Sequence, residues 1–394
     1  MFNPMLIFTM IWVAQLGLHV FFSDAFNPFA SATFAAIIIV ILFFNFGAWL
    51  VSGSPKGDSW ITSYQPKIDQ DSVQRLLVIF LASYCMVAFI AVWQLYQALA
   101  VMSIDLTDLV KIREAVILDF AGDRILYVQM KVFHFGVAFC IFFIALNRYL
   151  TDRQLVLVLA VGLVSAVLTT GRLFLLLYFL SVVALFYNSK KLSWQGVLYG
   201  AMAFFILFFL IALLMGKGDA EGVDSIIGSV AWNSQIYFLS SVACFNDFVM
   251  TDYQRIQGGA LLPNPLRELL GSIGFRTELK PAILPFVEVP TPCNTYTFMF
   301  SLYHDGSFIG LALGSTLIGA LHKYLYDRYK YSKSPVWCYC YAISIYALVM
   351  TVFEDAYFSS PGFWVTLLIP PIIFKVYINL FSVKPAYNLG NQRS

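Results

Sequence analysis

The sequence predicts an all-α integral membrane protein with about ten transmembrane helices. Three observations lead to this class: 60 % of the 394 residues are hydrophobic, only 12 % are charged, and long apolar runs recur along the chain. A soluble domain carries about twice this share of charged residues. The composition therefore excludes a soluble globular enzyme. It also excludes a disordered chain, which needs low hydrophobicity and high charge.

A spanning helix needs about 20 mainly apolar residues. The first apolar run lacks the basic start and the small-residue cleavage site of a signal peptide, so we interpret it as a retained span. The apolar run 155–187 is too long for one straight span and is interrupted at Thr169–Arg172, which predicts a hairpin of two short helices. The ten predicted spans are 4–22, 28–50, 76–100, 125–146, 155–169, 173–188, 194–215, 306–326, 335–353 and 361–381.

Basic residues in the short connections predict the orientation of the chain. With the N-terminus in the cytoplasm, 14 of the 24 Lys and Arg residues fall in cytoplasmic segments, against five in short outer segments. We therefore expect a multi-pass protein with both termini in the cytoplasm and Arg172 at the outer surface. The chain has 24 basic and 22 acidic residues and therefore lacks the excess of positive charge that nucleic-acid-binding proteins carry, which argues against nucleic acid as a partner.

One long segment interrupts the regular succession of predicted spans and divides the chain into three parts. Residues 1–215 hold the first seven helices, 216–300 form a large outer loop, and 301–394 hold the last three helices and a cytoplasmic tail. The loop contains 13 of the 46 charged residues, and loops of this length are usually functional or disordered. It is not low in apolar residues, so we expect it to be folded. We predict an interfacial or bundle-packed helix over 225–246, with a further full span as the alternative, and a lid with a short helix near 265–272.

The six cysteines show no C-x-x-C spacing, which argues against a structural zinc site. Cys244 and Cys293 lie in the long loop and could pair if that loop is extracytoplasmic. The remaining cysteines fall in apolar runs, where cysteine is usually a small hydrophobe. We find no P-loop, no dinucleotide-binding glycine pattern, no H-E-x-x-H and no G-x-S-x-G, and we predict neither a metal nor a cofactor.

Arginines are the candidate anion ligands. Arg172 lies between two apolar helices with no acidic residue nearby in sequence. The planar guanidinium can donate two hydrogen bonds to phosphate at once, so Arg172 is a candidate anion clamp at the membrane surface. The alternative is a structural ion pair or a snorkelling side chain. Further candidates in the long loop are Arg255, Arg267, Arg276 and Lys280, each of which alone would be an ordinary surface charge.

Titratable groups follow the loop. His304 or Asp305 is a candidate general base, and the alternative for Asp305 is an N-cap of the helix that follows. Glu354 and the adjacent Asp355 belong either to a solvated helix end or to the same site.

His134, inside the fourth span, is either functional or bonded to a neighbouring helix. Candidate substrate ligands near the end of the loop are Asn294, Tyr296, Thr297 and Tyr303, with Glu288 as a further loop candidate. Gly310 and Gly314, spaced G-x-x-x-G, predict a helix-packing face.

The break at Thr169–Arg172 and the long outer loop resemble features of bacterial O-antigen polymerases, also called oligosaccharide repeat unit polymerases. The stretches Asn294–Thr297 and Tyr303–Gly306, followed by a glycine-rich span, are similar to that family as well. The resemblance implies a metal-independent glycosyltransferase with a GT-C-like fold in the bacterial inner membrane. Such an enzyme joins undecaprenyl-pyrophosphate-linked oligosaccharides on the periplasmic face and releases undecaprenyl pyrophosphate.

By analogy with that family, the pyrophosphate clamp would fall on Arg172 and on one or more of Arg255, Arg267 and Arg276. The partners implied are the lipid-linked oligosaccharides, the lipid bilayer and a chain-length-regulating co-polymerase. The base role of Asp305 is an inference from the residues and is not implied by the resemblance.

Two other functions stay open. An O-antigen ligase resembles this architecture but carries a functional histidine in its large outer loop, whereas residues 216–300 contain none. A lipid-linked oligosaccharide flippase or other transporter usually has a repeated architecture with polar residues near the bilayer midplane. We find no internal repeat, and the polar candidates cluster at the outer surface. The sequence therefore favours a polymerase.

Overall fold

The structure is a computed structural model. It describes residues 3–22, 26–52, 68–105, 108, 111–112, 114–115, 125–169, 172–189, 192–214, 226–251, 256, 259–275, 278–281, 284–332, 334–358 and 361–381. The described part is mostly helical, which confirms the predicted class at that level. Its first six α-helices are α1 (Pro4–Phe21), α2 (Ser31–Ser52), α3 (Gln70–Val101), α4 (Ile125–Ala145), α5 (Asp152–Leu168) and α6 (Arg172–Asn188).

The second half of the chain continues this helical pattern and adds one small β-ladder. The remaining helices are α7 (Trp194–Leu214), α8 (Ile226–Thr251), α9 (Asn264–Ser272), α10 (Met299–Ser332), α11 (Pro335–Met350) and α12 (Pro361–Phe381). Strand β1 (Val287–Glu288) pairs antiparallel with β2 (Pro292–Cys293), with Val287 opposite Cys293.

Five helices are long and apolar enough to cross a membrane, namely α1, α2, α3, α10 and α12. Shorter apolar stretches lie within α4, α6, α7 and α11. The chain is therefore a multi-pass membrane protein. Every predicted span coincides with a helix, but within the described residues only five helices meet the length and hydropathy requirement. The number of ten spans and the GT-C-like arrangement remain predictions.

The predicted break between the fifth and sixth apolar runs is confirmed. Helix α5 ends at Leu168 and α6 begins at Arg172. A hydrogen bond shows that the two helices pack side by side. The Tyr178 hydroxyl of α6 donates to the carbonyl oxygen of Leu159 in α5 at 2.8 Å. Nineteen residues of straight helix would separate these two positions by about 28 Å. Gly162 leaves the space on α5 that the Tyr178 ring fills.

Helix α10 contains a sharp reversal. Ser307 has φ 48° and ψ −140°, which a residue with a side chain rarely adopts. A Cβ atom added at Gly310 would collide with the carbonyl oxygen of Leu302, eight residues earlier. In a straight helix that separation is about 12 Å, so residues 299–306 (the first arm) fold back on residues 308–332 (the second arm). The predicted packing face is confirmed, and its partner is the chain's own preceding segment.

The long loop is fastened to the helices that precede it. The Asn246 carboxamide oxygen of α8 accepts hydrogen bonds from the Thr33 hydroxyl at 2.7 Å and from the Ala30 N–H at 2.9 Å. The Gln15 side chain of α1 donates to the carbonyl oxygen of Phe238 at 2.6 Å. The predicted helix over 225–246 therefore exists and packs against α1 and α2. It is not among the five candidate spans.

Two large buried apolar clusters form most of the core, and a small third one lies between α3 and α4. The first large cluster joins α3 through α7, α11, α12 and the end of α10, and the second joins α1, α2, α8, the loop, both arms of α10 and the end of α11. Residues 351–358, here called the connector, run between α11 and α12 where these clusters meet, and Phe353 packs against both. Several buried or partly buried polar groups lie around this connector.

Candidate functional site

The connector is held to the first arm of α10 by a buried carboxylate. Asp355 accepts a hydrogen bond from the Ser301 hydroxyl at Oδ2 and bonds from the N–H groups of Tyr357 and Phe358 at Oδ1, at 3.1 and 2.9 Å. The Phe298 N–H donates to the carbonyl oxygen of Thr351 at 3.1 Å. Burial raises the pKa of Asp355, while these hydrogen bonds and the nearby charge of Lys280 oppose that rise. Asp355 therefore acts as a fastening point.

Glu354 directly precedes Asp355 in the chain and has a different environment. It is partly buried, and its carboxyl group makes no hydrogen bond with any residue that the structure describes. Burial and, secondarily, the charge of Asp355 raise the pKa of Glu354 to about 7. A carboxyl group with this pKa can exchange a proton near neutral pH, as general acid–base catalysis requires. Glu354 is thus not the solvated helix end that was the alternative.

His304 and Asp305 bind the long loop. The two carboxylate oxygens of Asp305 accept the N–H groups of Ala260 and Leu261 at 2.6 and 2.8 Å. Nδ1 of His304 lies 2.6 Å from Asp305 Oδ1, and its Nε2 accepts the Ile256 N–H at 2.7 Å. The network assigns the proton of His304 to Nδ1. The N-cap interpretation of Asp305 is wrong, because its oxygens bond to the loop.

Proton transfer by this pair remains a prediction. Both ring nitrogens of His304 are occupied by the contacts above. Each Asp305 oxygen already accepts a backbone N–H. In the described conformation the pair holds Ile256, Ala260 and Leu261 on the first arm. The Glu354 carboxyl, by contrast, forms no hydrogen bond with the described residues. The geometry therefore favours Glu354 over His304 and Asp305 as the group that exchanges a proton.

The surroundings of Arg267 do not fit its predicted role as an anion clamp. Its side chain is fully buried. Its guanidinium donates to the carbonyl oxygens of Leu262 and Glu278, both at 2.8 Å, and to that of Gly259. A guanidinium enclosed by backbone carbonyls has no face left for pyrophosphate. Arg267 instead sets the fold of the loop around α9.

Lys280 is the loop cation that approaches the carboxylates. The Asn264 side chain bonds to both the N–H and the carbonyl of Lys280, at 2.8 and 2.9 Å, and Nζ donates to the carbonyl oxygen of Ala260 at 3.3 Å. Burial lowers the pKa of Lys280, and Arg267 lowers it further, while Asp355 and Asp305 act in the opposite direction. Its ammonium group therefore lies in the combined field of two carboxylates.

The predicted arginine at the helical break belongs to the same end of the bundle. Phe174, two residues after Arg172, contacts Phe363 at 5.5 Å between ring centroids, and Phe363 contacts Tyr346 at 5.5 Å. Tyr346 in turn lies within the electrostatic reach of Glu354. The start of α6 is thus close to the connector. The side chain of Arg172 and the predicted clamp residues Arg255 and Arg276 lie outside the described residues, so their roles stay predictions.

The candidate substrate ligands at the loop exit divide into two groups. Tyr296 and Thr297 are buried, and the Tyr296 hydroxyl donates to the carbonyl oxygen of Pro285 at 3.3 Å. Both side chains therefore belong to the core, and their contact with substrate stays a prediction. Asn294 and Tyr303 remain partly exposed, and the Tyr303 ring packs edge-on against Phe245 at 5.7 Å.

A disulfide lies in the loop beside the site. Cys244 of α8 and Cys293 of β2 form a disulfide with 6.5 Å between their Cα atoms, so the hypothesis that they pair is confirmed. The Ser301 bond to Asp355 was missed by sequence analysis, because a serine in a polar stretch carries no signal for a partner 54 residues away. Among the described residues, no group of three His, Cys, Asp or Glu side chains is placed to hold a metal.

His134, the histidine inside the fourth apolar run, stacks on Phe174 with 3.9 Å between ring centroids. Its Nδ1 has no hydrogen-bond partner among the described residues. The ring contact places His134 beside the first turn of α6. Neither the functional interpretation nor the hydrogen bond expected of a structural histidine is decided by this contact.

Comparison with known proteins adds no further constraint. The chain matches no protein-family model, and no curated protein and no solved structure is detectably similar to it.

Proposed function

We propose that the protein is a membrane glycosyltransferase, an O-antigen polymerase that joins undecaprenyl-pyrophosphate-linked oligosaccharide repeat units and releases undecaprenyl pyrophosphate. One observation carries the proposal. Glu354 is an uncommitted, partly buried carboxyl group whose pKa is raised to about 7, at the end of a multi-pass helical bundle where the long loop is fastened. Glycosyl transfer to a hydroxyl needs such a group to accept the proton.

The disulfide supports the proposed side of the membrane. Disulfides persist in oxidising compartments such as the bacterial periplasm. The Cys244–Cys293 bridge joins the long loop to itself next to the first arm of α10. The proposed topology accordingly has the loop in the periplasm, both termini in the cytoplasm, and the protein in the inner membrane. An enzyme of this topology meets lipid-linked sugars at the outer leaflet.

The proposed reaction has three parts. Glu354 accepts the proton of a hydroxyl on the incoming repeat unit, and the oxygen forms a bond to the anomeric carbon of the growing chain. The bond from that carbon to undecaprenyl pyrophosphate breaks, and the electron pair leaves with the pyrophosphate. Cationic side chains stabilise the charge that builds up there. Lys280 is the described candidate, and Arg172, Arg255 and Arg276 are the others. The donor is already activated, so the proposal needs neither a metal nor a cofactor.

Deletion of the gene in the host, followed by gel analysis of lipopolysaccharide, tests the proposal. We expect lipid A–core that carries a single repeat unit and no ladder. Bare core with polymer accumulating on the lipid carrier would identify a ligase instead. Bare core without periplasmic polymer would identify a flippase.

Complementation then tests the role of Glu354. Glu354→Gln should leave the ladder absent while the protein stays at its normal level in the membrane. The matched control is Glu268→Gln, since Glu268 is an exposed carboxylate of the loop outside the site. The control should restore the ladder fully. A normal ladder with Glu354→Gln would refute the proton-transfer role.

A further inference from the structure

Helix α9 has its amphipathic faces inverted. Leu266 and Leu269 of the helix and Ile273, its C-cap residue, follow the spacing of one helical face, and their exposed fractions run from 42 % to 63 %. Arg267, on another face of the same turn, is fully buried. A helix of a soluble domain does the opposite and turns its apolar face inward. The exposed apolar surface continues beyond the helix at Phe275, which is 62 % exposed.

The buried arginine explains how this inversion is held. Its guanidinium is bonded to the carbonyl oxygens of Gly259, Leu262 and Glu278, so the charged face of α9 cannot rotate outward without breaking three charge-assisted bonds. The apolar face is thereby fixed away from the protein. An apolar surface presented in this way marks an interaction site.

The position of α9 in the fold indicates which surroundings fit its apolar face. The segment just before α9 is bonded to Asp305 through the N–H groups of Ala260 and Leu261. Asp305 lies near the end of the first arm of α10. The exposed apolar row of that membrane-spanning helix begins four residues later with Ile309 and continues with Leu313. The apolar face of α9 is therefore attached at the level where the lipid-facing surface starts. This continuity favours the bilayer over a protein partner.

We propose that the apolar face of α9, formed by Leu266, Leu269 and Ile273 together with Phe275, lies in the interfacial layer of the lipid bilayer and anchors the loop to the membrane surface. Interfacial helices bury an apolar face at the boundary between headgroups and acyl chains, with polar residues directed to water. Glu268 is exposed on the opposite side of α9, so the proposal directs it to the aqueous phase. The inference does not depend on the proposed enzymatic activity.

Site-directed spin labelling of the full chain in proteoliposomes tests the inference. A nitroxide is attached through an unnatural amino acid, so that the four free cysteines need no change. Labels at Leu269 and Ile273 should collide more often with oxygen, which concentrates in lipid, than with a water-soluble nickel complex. A label at Ile309 is the lipid-facing reference. A label at Glu268 is the matched control in the same helix and should show the reverse preference.

Two results would overturn the inference. Nickel accessibility at Leu269 and Ile273 equal to that at Glu268 would show that the face stays in water. Low accessibility to both reagents would show that protein, such as a second copy of the chain, covers it. Neither outcome bears on Glu354 or on the polymerase proposal, because the labels report only the surroundings of α9.

Discussion

Two adjacent carboxyl groups, Glu354 and Asp355, have opposite roles because their surroundings differ. Asp355 receives three hydrogen bonds and is buried, so it fixes the connector. Glu354 receives none from the described residues, and burial of its carboxyl group raises the pKa. Sequence alone cannot separate such neighbours, since the distinction depends on Ser301 and on the turn at Tyr357. It can only mark both residues as candidates.

The pKa of Glu354 predicts the pH dependence of activity. A general base works in its ionised form, so transfer by the wild-type protein should rise with pH through about 7 and then level off. Glu354→Gln should lower the rate about 100-fold or more and remove this rise. The measurement is a pH–rate profile with lipid-linked repeat units in proteoliposomes.

The same profile tests the electrostatic coupling between the two carboxyls. Asp355→Asn removes a negative charge that raises the pKa of Glu354, so the midpoint should move to lower pH. Ser301→Ala keeps that charge and serves as the comparison for loss of the hydrogen bond alone. A midpoint that Asp355→Asn leaves unchanged would contradict the coupling.

Glu354 also predicts a pH dependence of stability that does not depend on any assay of function. Its pKa is higher in the folded protein than the usual 4.5, so the folded state binds the proton more tightly. The associated stability is fully present below about pH 4.5 and is lost as the pH rises through about 7. The melting temperature of the detergent-solubilised wild type should fall over that range. Glu354→Gln should fall less, and identical curves would show that the pKa is not raised.

Arg267 predicts a structural phenotype in place of a binding defect. Arg267→Ala leaves three buried carbonyl groups without their donor, which should destabilise the loop by about 3 kcal/mol or more. Limited proteolysis should then cut the loop near α9 faster than in the wild type. Arg267→Lys should not rescue it, because an ammonium group lacks the planar fork. Glu268→Ala is the control. Cleavage of Arg267→Ala at the wild-type rate would instead favour the predicted role of Arg267 as an anion ligand.

At the scale of elements, sequence patterning predicts the helices well because apolar runs report burial or lipid contact directly. The hairpin at Thr169–Arg172 and the short helix near 265–272 were located in this way and both appear in the structure. The reversal within α10 could not be located. It depends on a positive φ at Ser307, and serine carries no signal for that conformation. The predicted start of the span at 306 nevertheless falls beside the turn between the arms.

The reversal depends on the absence of a side chain at Gly310. A Cβ atom there meets the backbone of Leu302, which cannot move aside as a flexible side chain can. Gly310→Ala should therefore force the two arms apart and cost about 1–3 kcal/mol. Thermal unfolding in detergent measures the loss. Gly306→Ala is the matched control, since a Cβ atom there meets nothing within 4 Å. Equal stability of the two variants would show that the arms are not closely packed.

At the scale of the whole molecule, the structure gathers the N-terminal ends of α6, α10 and α12 and the C-terminal end of α11 at one end of the bundle, beneath the loop. The prediction that Arg172, Asp305 and Glu354 lie at that end rests on the orientation of the spans alone. It succeeded because alternation of direction follows from the order of the helices. Prediction failed for the interior of the loop, where burial of Arg267, Tyr296 and Thr297 is set by tertiary contacts.

The pairing of Cys244 with Cys293 gives a test of the topology on which the proposed function depends. Six cysteines are present, of which Cys85, Cys140, Cys338 and Cys340 are free. Protein denatured without reductant should therefore take up four equivalents of a maleimide–polyethylene glycol reagent, and six after reduction. Because the periplasm is oxidising and the cytoplasm reducing, four equivalents place the loop outside the cytoplasm. A host without its periplasmic thiol oxidase should give six in both samples. Six equivalents from the wild-type host without reduction would place the loop, and with it Glu354, on the cytoplasmic side, where no periplasmic polymerase could act.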